Sequence, residues 1–467
     1  MISNDYILDL QERIKVLERL NRDLILQNKD LIKESKRKDD LLAAIPVPTI
    51  DPIKAKKGRF TYRYNMISVL YTNVSGLTSI AASNEAETHI DELDRIYFHF
   101  DTIIKQFNIE KIRSIGDSYI CAGGIPNKNR TNPIELVMAA IEMQHYLTEY
   151  KDRSEKKNMN LLDINFGIHT GPAVVSVTGT NKKLYDISGD TINIASRIES
   201  TSELSRIHIS ESTYEITKEF FICEYRGKVP VRYKGEVLIY SVKGYRPELS
   251  INAKGKIPNE LFWAKLQMVR FEDVSTFILD KLEQELPKYL YYHDLKHTID
   301  VTIGVEIIGT GEGLTENDIL LLKTAALFHD YGQISGNENH ELRSCEAARE
   351  ILPVYGYNNQ QIEIVEQLIM ATRHGYLPQN KMEEIICDAD LDYLGRGDFI
   401  PVSENLFYEL KYQNLVGSIH EWNVKQMNYL QSHQFYTDTA RSLRQVGKEK
   451  QIDRLKKLIE QNADKSN

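Results

Sequence analysis

The 467-residue chain has only four cysteines, Cys121, Cys223, Cys345 and Cys387, widely spaced and with no CxxC among them. That excludes a disulfide framework and a thiolate zinc knot, and reads as reduced thiols in a cytoplasmic protein. No apolar run approaches the ~18 residues of a spanning helix. The amino terminus is polar and charged, so neither a signal peptide nor a membrane anchor is expected. A surplus of positive charge is missing too: 58 Lys and Arg stand against 67 Asp and Glu, a net charge of −9 with histidine neutral. Broad nucleic-acid binding is therefore a poor default, although local phosphate sites remain open. No GxxxxGK[ST] loop occurs, so P-loop chemistry is not supported. At roughly 150 residues per domain, the length suits about three units, or two domains with extensions.

What is present begins with heptads. Leu10, Leu17, Leu24 and Leu31 recur every seven residues, with Ile7, Ile14, Asn21 and Asn28 three positions before each. Isoleucine at a and leucine at d favour two parallel strands, and asparagine at a fixes register at a cost in stability. Residues 1–44 are thus expected to form a coiled coil that holds a homodimer, with one amphipathic helix packed on its own domain as the alternative. Ile45-Pro46-Val47-Pro48 stops the helix. Over 59–247, β-branched runs (67–71, 164–168, 173–177, 237–242) alternate with helical stretches (84–106, 133–151, 190–201), which predicts an α+β sandwich with a largely antiparallel sheet. Residues 248–257 are rich in Ser, Asn, Lys and Gly and read as a linker. The stretch 258–445 is helical in pattern throughout, and Thr315 with Asp318 marks a helix start before a mostly buried run. A charged helix over about 437–461 either packs on this body or extends a dimer contact, and 446–467 is set apart as C-terminal helix and tail.

The helical part holds four elements with metal-ligand chemistry: Tyr292-His293-Asp294-Leu295-Lys296-His297, Ala326-Leu327-Phe328-His329-Asp330, Asn339-His340-Glu341 and Cys387-Asp388-Ala389-Asp390-Leu391. Imidazole nitrogen with carboxylate oxygen suits Zn²⁺, Mn²⁺, Fe²⁺ or Mg²⁺. His293 and His297 are four apart, and on a helix they share a face. A histidine alone on an apolar helix is usually a packed side chain. An adjacent His-Asp pair ending a buried run, followed by further His and Asp positions, argues for more.

This stretch, over roughly 280–400, resembles the HD superfamily of metal-dependent phosphohydrolases, whose signature of His, His-Asp and a distant Asp maps to His297, His329, Asp330 and Asp390. YHDLKHTIDVT also looks like the YHNxxHAxDVT segment of cyclic-nucleotide phosphodiesterases, a comparison that sets His293 at the position of the leaving-group proton donor, with Asp294 and Thr298 departing from the pattern. His340 and His374 are candidates to complete a second metal position with Asp330 bridging, as binuclear members of the superfamily imply. Asp388, two residues from Asp390, is the alternative ligand. A metal so held keeps an open position for water, lowers its pKa and polarises a phosphoryl oxygen. Asp330 would orient the water and His293 would protonate the departing oxygen. Lys296 and Arg373 are candidates to neutralise substrate phosphate.

SVLYTNVSGLTSI, EKIRSIGDSYICAGG, FGIHTGPAVVSVTG and LYDISGDTINIASRIES, in that order and with Val231 to Glu236, resemble the class III adenylate/guanylate cyclase catalytic domain over most of 60–245. The resemblance implies a ferredoxin-like βαββαβ core and head-to-tail dimers with sites at the interface. Two carboxylates hold the metals in working cyclases. Asp117 keeps the second, and Asn73 replaces the first with a neutral carbonyl. Loss of one charged ligand is worth ~100-fold in rate for ~2.7 kcal/mol. Asn193 and Arg197 match the positions that orient ribose and stabilise phosphate, and Lys234 matches the polyphosphate-binding lysine. Asp186 and Arg113 stand at the purine-recognition positions, where arginine cannot accept from guanine, so ATP or another adenine nucleotide is favoured.

The fold expected is α+β followed by all-α, with an N-terminal coiled coil. The function expected is hydrolysis of a nucleotide or cyclic-nucleotide phosphoester by the helical domain, under control of a degenerate nucleotide-binding domain. An active adenylate cyclase making cAMP, alone or with hydrolysis, and a non-enzymatic nucleotide-responsive scaffold are the alternatives.

Overall fold

The computed structural model describes residues 53–56, 59–75, 86–155, 163–178, 184–201, 203, 205–231 and 235–463. The heptads of 1–44 and Lys234 lie outside the described residues. The chain divides into two compact units, with the change from one to the other at Arg246 and Pro247.

The first unit is a mixed α/β sheet domain. Its strands are β1 (Ile53–Lys56), β2 (Arg59–Ser75), β3 (Glu110–Ile115), β4 (Ser118–Gly123), β5 (Asp163–Thr178), β6 (Leu184–Ser188), β7 (Ile207–Ser210), β8 (Phe221–Val231) and β9 (Gly235–Tyr245). Its helices are α1 (Ala86–Gln106), α2 (Asn132–Glu155), α3 (Asp190–Ser200) and α4 (Glu211–Thr217). The sheet runs β3-β4-β2-β5-β7-β9-β8, with β1 on β2 and β6 on β5. All described pairings are antiparallel except β5 with β7. Runs 164–168 and 173–177, expected as separate strands, are one strand through Gly171 and Pro172. Proline cannot donate to the ladder, and the β2 register shifts between Tyr64 and Ile67 as it passes this point.

Strand alternation sorts the two faces. On one, Ile67, Val69, Ile120, Ala122 and Val175 pack with Ala195 of α3. On the other, Phe100 of α1 meets Tyr119 and Phe166 at ring separations of 5.5 and 6.3 Å. Gly167 lets α3 lie directly on β5: a Cβ there would fall 2.3 Å from the Ala195 carbonyl oxygen. Asn73 pairs across the sheet with Ser118 and Asn165, on the α3 face.

The second unit is all-α. Two 3-10 turns, Pro247–Leu249 and Ile251–Ala253, fold the segment read as linker. The helices are α5 (Glu260–Glu285), α6 (Leu295–Gly311), α7 (Glu316–Phe328), α8 (His340–Ile351), α9 (Asn359–Ala371), α10 (Lys381–Asp390), α11 (Phe399–Tyr412), α12 (Ile419–Ser432) and α13 (Asp438–Ala463). Thr315 caps α7 as expected, accepting from the Asp318 amide at 3.2 Å. The core is continuous from Val274 and Ile278 of α5 through Leu322 and Phe328 of α7 to Ile385 and Ile386 of α10. Gly304 of α6 meets Ala389 of α10, where a Cβ would come within 3.2 Å of the alanine methyl. The charged C-terminal helix packs on this unit, burying Ala440, Lys448, Gln451 and Leu455. It runs unbroken through the 445/446 division expected from the sequence.

Candidate metal centre and strand-tip site

Three helix termini deliver the metal-type side chains of the second unit. Asp294 caps α6 by accepting from the His297 amide at 2.9 Å, which sets His297 in the first turn. His293 therefore lies before the helix, not on it as the four-residue spacing suggested, because an N-cap residue has extended backbone. The two rings still approach to 5.8 Å. His329 follows α7 as its C-cap, and its Nδ1–H donates to the Ala326 carbonyl at 2.7 Å. That bond leaves Nε2 free to act as a ligand. Asp390 is the last residue of α10.

These ends converge. His297, His329 and Asp390 offer donor atoms all within 4.8 Å of one another. The two Nε2 atoms are 3.2 Å apart, and Asp390 Oδ1 is 3.1 Å from His297 Nε2 and 3.7 Å from His329 Nε2. Metal–ligand bonds of about 2.1 Å put adjacent donors about 3.0 to 3.4 Å apart, so the triad fits a divalent ion. Asp330 Oδ2 lies 3.2 Å from His329 Nε2 and 3.6 Å from His297 Nε2. That oxygen is buried without a hydrogen-bond partner, a costly state that a cation relieves. The other Asp330 oxygen is 3.3 Å from Nε2 of His340, the first residue of α8. His374 stands apart, exposed in the turn after α9, and among the described residues it makes no ion pair with either carboxylate. Arg373 is exposed there too. Lys296 lines the cleft beside His297 and Asp390 and is bonded to Asp300 at 2.5 Å.

Charge explains the protonation pattern. Burial is the largest single influence and opposes the imidazolium of His329, yet the charge and hydrogen bond of Asp330, with the Asp390 charge and the Ala326 carbonyl, together raise His329 to about 9. Burial likewise opposes the carboxylate of Asp330, which His329 and His293 pull well below the usual range. His293 is held up at about 9 against burial by Asp330 and by Glu409. Its Nδ1 lies 2.5 Å from Glu409 Oε1, and the other Glu409 oxygen accepts from the Tyr292 and His293 amides at 3.0 and 3.1 Å. Glu409 belongs to none of the sequence motifs. Its only signal was a lone acid inside Phe407-Tyr408-Glu409-Leu410. Asp388, the alternative to Asp390, faces elsewhere: its carboxylate accepts from the Tyr436 and Thr437 amides and the Thr437 hydroxyl, at 2.7 to 3.1 Å.

In the first unit, Asn73 lies near the end of β2 and Asp117 in the turn joining β3 to β4, whose carbonyl accepts from the Val74 amide at 2.9 Å. The two occupy neighbouring strand tips. Asn73 Oδ1 is buried and lacks a hydrogen-bond partner. Arg113 and Asp186, read separately as base-recognition positions, form an ion pair of 2.9 Å, each about half exposed. Asn193 and Arg197 share the exposed face of α3, with Arg197 Nε 3.4 Å from the Pro230 carbonyl. Glu199, unremarked in the sequence, is buried on the opposite side of α3. Burial raises it to about 7 against a hydrogen bond from Asn165, with the Asp117 charge adding to the rise.

Residues 60–244 match the family described as adenylate and guanylate cyclase catalytic domain, and residues 294–392 match the HD domain. An adenylate cyclase of Mycobacterium bovis is 32% identical over 204 residues, 43% of this chain and 45% of that protein. Guanylate cyclase 32E of Drosophila melanogaster is 28% identical over 233 residues, 49% of this chain and 20% of that protein. The chain thus spans less than half the length of these curated relatives. Among solved structures, the adenylyl cyclase CyaB from P. aeruginosa is 27% identical with a TM-score of 0.38, over 41% of this chain and 99% of that one.

The two acids of α10 should separate cleanly on substitution. Asp390→Asn should abolish high-affinity Mn²⁺ binding in titration calorimetry, whereas Asp388→Asn should retain it. Asp388→Asn should cost about 1–3 kcal/mol of unfolding free energy in a denaturant titration, through its lost charge-assisted bonds. With a His/His/Asp triad fitted to a divalent ion in the second unit, the chain joins an adenylate/guanylate cyclase homology domain to a following HD-superfamily phosphohydrolase domain.

Proposed function

We propose that this protein is a metal-dependent phosphohydrolase that cleaves a nucleotide or cyclic-nucleotide phosphoester in its HD domain, under the control of a nucleotide bound to its cyclase-homology domain. The observation that carries this reading is the convergence of His297, His329 and Asp390 beside the unpartnered oxygen of Asp330. A bound divalent ion would polarise a phosphoryl oxygen and acidify water there. His297, His329, Asp330 and Asp390 would hold it, with His340 on the far side of Asp330 as a ligand to a second ion. His374 would join that second position only after movement of its turn.

The protein's own part is proton handling. His293, oriented and kept protonated by Glu409, donates to the departing oxygen from its free ring nitrogen. Asp330, held anionic, orients the attacking water. The domain assignment that goes with this reading is a coiled coil over 1–44, the cyclase-homology domain over 59–247, a linker over 248–257, the HD domain over 258–445 and a C-terminal helix and tail. The coiled coil and the ferredoxin-like cyclase-homology domain would together hold a cytoplasmic homodimer. Four free thiols, and the lack among the described residues of a helix able to cross a membrane, support that setting. Asp117, Arg113, Asp186, Asn193, Arg197 and Lys234 would bind ATP or a related nucleotide, with Asn73 weakening the metal-dependent step.

A panel of nucleotides and cyclic nucleotides assayed with Mn²⁺, Mg²⁺ or Fe²⁺ tests the proposal. One or more should be hydrolysed, and His329→Ala with Asp330→Ala should remove turnover by at least about 10³-fold, the scale of lost metal catalysis. Unchanged hydrolysis in that variant would contradict the assignment. Glu409→Gln removes the carboxylate that favours the imidazolium, so His293 loses its proton at lower pH. The alkaline limb of the kcat profile should then move down by about 1–3 units.

A second reading, residual cyclisation of ATP, is favoured by one observation: Asn73 Oδ1 is unpartnered beside the Asp117 turn and can still accept a cation. Asn73→Asp should then raise cAMP output by about 100-fold. The absence of cAMP from both forms would remove this reading.

A further inference from the structure

We propose that the C-terminal helix α13 braces the metal ligand Asp390, and that Arg444 is the positioning residue through which it does so. The inference rests on the reading of His297, His329 and Asp390 as metal ligands. Asp390 ends α10 and has an acid two residues to either side. On a helix two residues are about 200° of rotation, so Asp388 and Asp390 point in nearly opposite directions. Both flanking acids are gripped by one element. Asp388 is held by the amides of Tyr436 and Thr437 and the Thr437 hydroxyl, at the entrance to α13. Asp392 receives both arms of the Arg444 guanidinium, Nε at 2.6 Å and Nη2 at 2.9 Å.

Backbone packing makes the grip close. Beyond Asp390 the chain turns through a short 3-10 segment, Asp392–Gly395. A Cβ on Gly395 would lie 2.4 Å from the Arg444 carbonyl oxygen, and one on Gly447 would lie 1.9 Å from the Gly395 carbonyl oxygen. Helix and turn therefore touch main chain to main chain. Gln451 adds a bond from its side-chain amide to the Arg396 carbonyl at 2.8 Å. At its start, α13 is tied to α6, since the Glu312 carboxylate, at the C-terminus of that helix, accepts from the Thr439 amide at 2.8 Å. Thus α13 and the two residues before it hold the chain on either side of Asp390, and hold α6 at the end opposite His297.

Arg444 has an electrostatic task as well. Asp392 lines the same cleft as His297 and Asp390. A carboxylate released there would compete for the ion two residues from the intended ligand. The bidentate guanidinium fork satisfies both of its oxygens and fixes its direction, which an ammonium cannot do.

Mn²⁺ titration of the full-length, metal-stripped protein tests the brace, with far-UV circular dichroism and metal-free melting as controls for folding. Removal of an outer partner of a metal ligand typically costs 10–100-fold in affinity. Arg444 bonds Asp392 and not the ligand itself, so Arg444→Ala should raise the Mn²⁺ Kd by less than that, about three- to tenfold. Arg444→Lys, which keeps the charge and the stem but loses the fork, should show most of the same loss, and it carries the test should the alanine variant not fold. The reversed pair Asp392→Arg with Arg444→Asp should recover part of the affinity. A role in folding alone predicts lower metal-free melting with Kd within twofold of wild type, and that result would overturn the brace provided Asp390→Asn loses Mn²⁺. Should Asp390→Asn bind Mn²⁺ as wild type does, the metal reading itself fails and the inference goes with it.

Discussion

The carboxylates of Asp330 and Asp390 meet the imidazoles of His297 and His329 in the interior of the helical domain, with His293 and His340 beside them. Asp330 and Asp390 are held anionic although burial opposes it, and one oxygen of Asp330 has no well-aligned hydrogen bond, the nearest ring nitrogen being that of His329 at 3.2 Å. Without an ion, the cluster balances its charge by keeping protons on His329 and His293. A divalent cation supplies that balance directly, and on taking His329 Nε2 as a ligand it would displace the proton held there. The surrounding fold is arranged around this requirement. The Asp294 cap aims His297, the Ala326 carbonyl sets the His329 tautomer, and the Gly304–Ala389 contact brings α6 against α10.

The cyclase-homology domain has a different balance. At its strand tips one position is the carboxylate Asp117 and the other the amide Asn73. Glu199 is buried nearby on α3 and bonded to Asn165, so a further acid on that face is already engaged in the protein. The exposed Arg113–Asp186 pair is a donor and an acceptor joined to each other, which a nucleobase would have to separate or bridge. The fitted His/His/Asp set lies in the second domain.

Much of this could be read from residue order. His297, His329, Asp330 and Asp390 were visible because each stands in a short motif at the end of a helical pattern, and the four-part cyclase-like series was visible because its pieces recur in order. The exact start of α6 was not, since spacing alone cannot tell a histidine in the first turn from one just before the cap. The continuous β5 was hidden by Gly171 and Pro172, which read as a break and instead sit where the neighbouring strand shifts register. Glu409 and Arg444 were invisible for another reason: each acts on a residue more than fifty positions away in the chain, and only tertiary packing brings them together. Asp388 and Asp390 could be separated only once the partners of Asp388 in the segment before α13 were known.

Crystals of the full-length protein grown with Mn²⁺ and measured at the manganese absorption edge would test the central claim most directly. The account predicts an anomalous peak about 2.1 to 2.3 Å from His297 Nε2, His329 Nε2 and a carboxylate oxygen of Asp390. A map with no peak among these residues, or with manganese bound only beside Asn73 and Asp117, would contradict it.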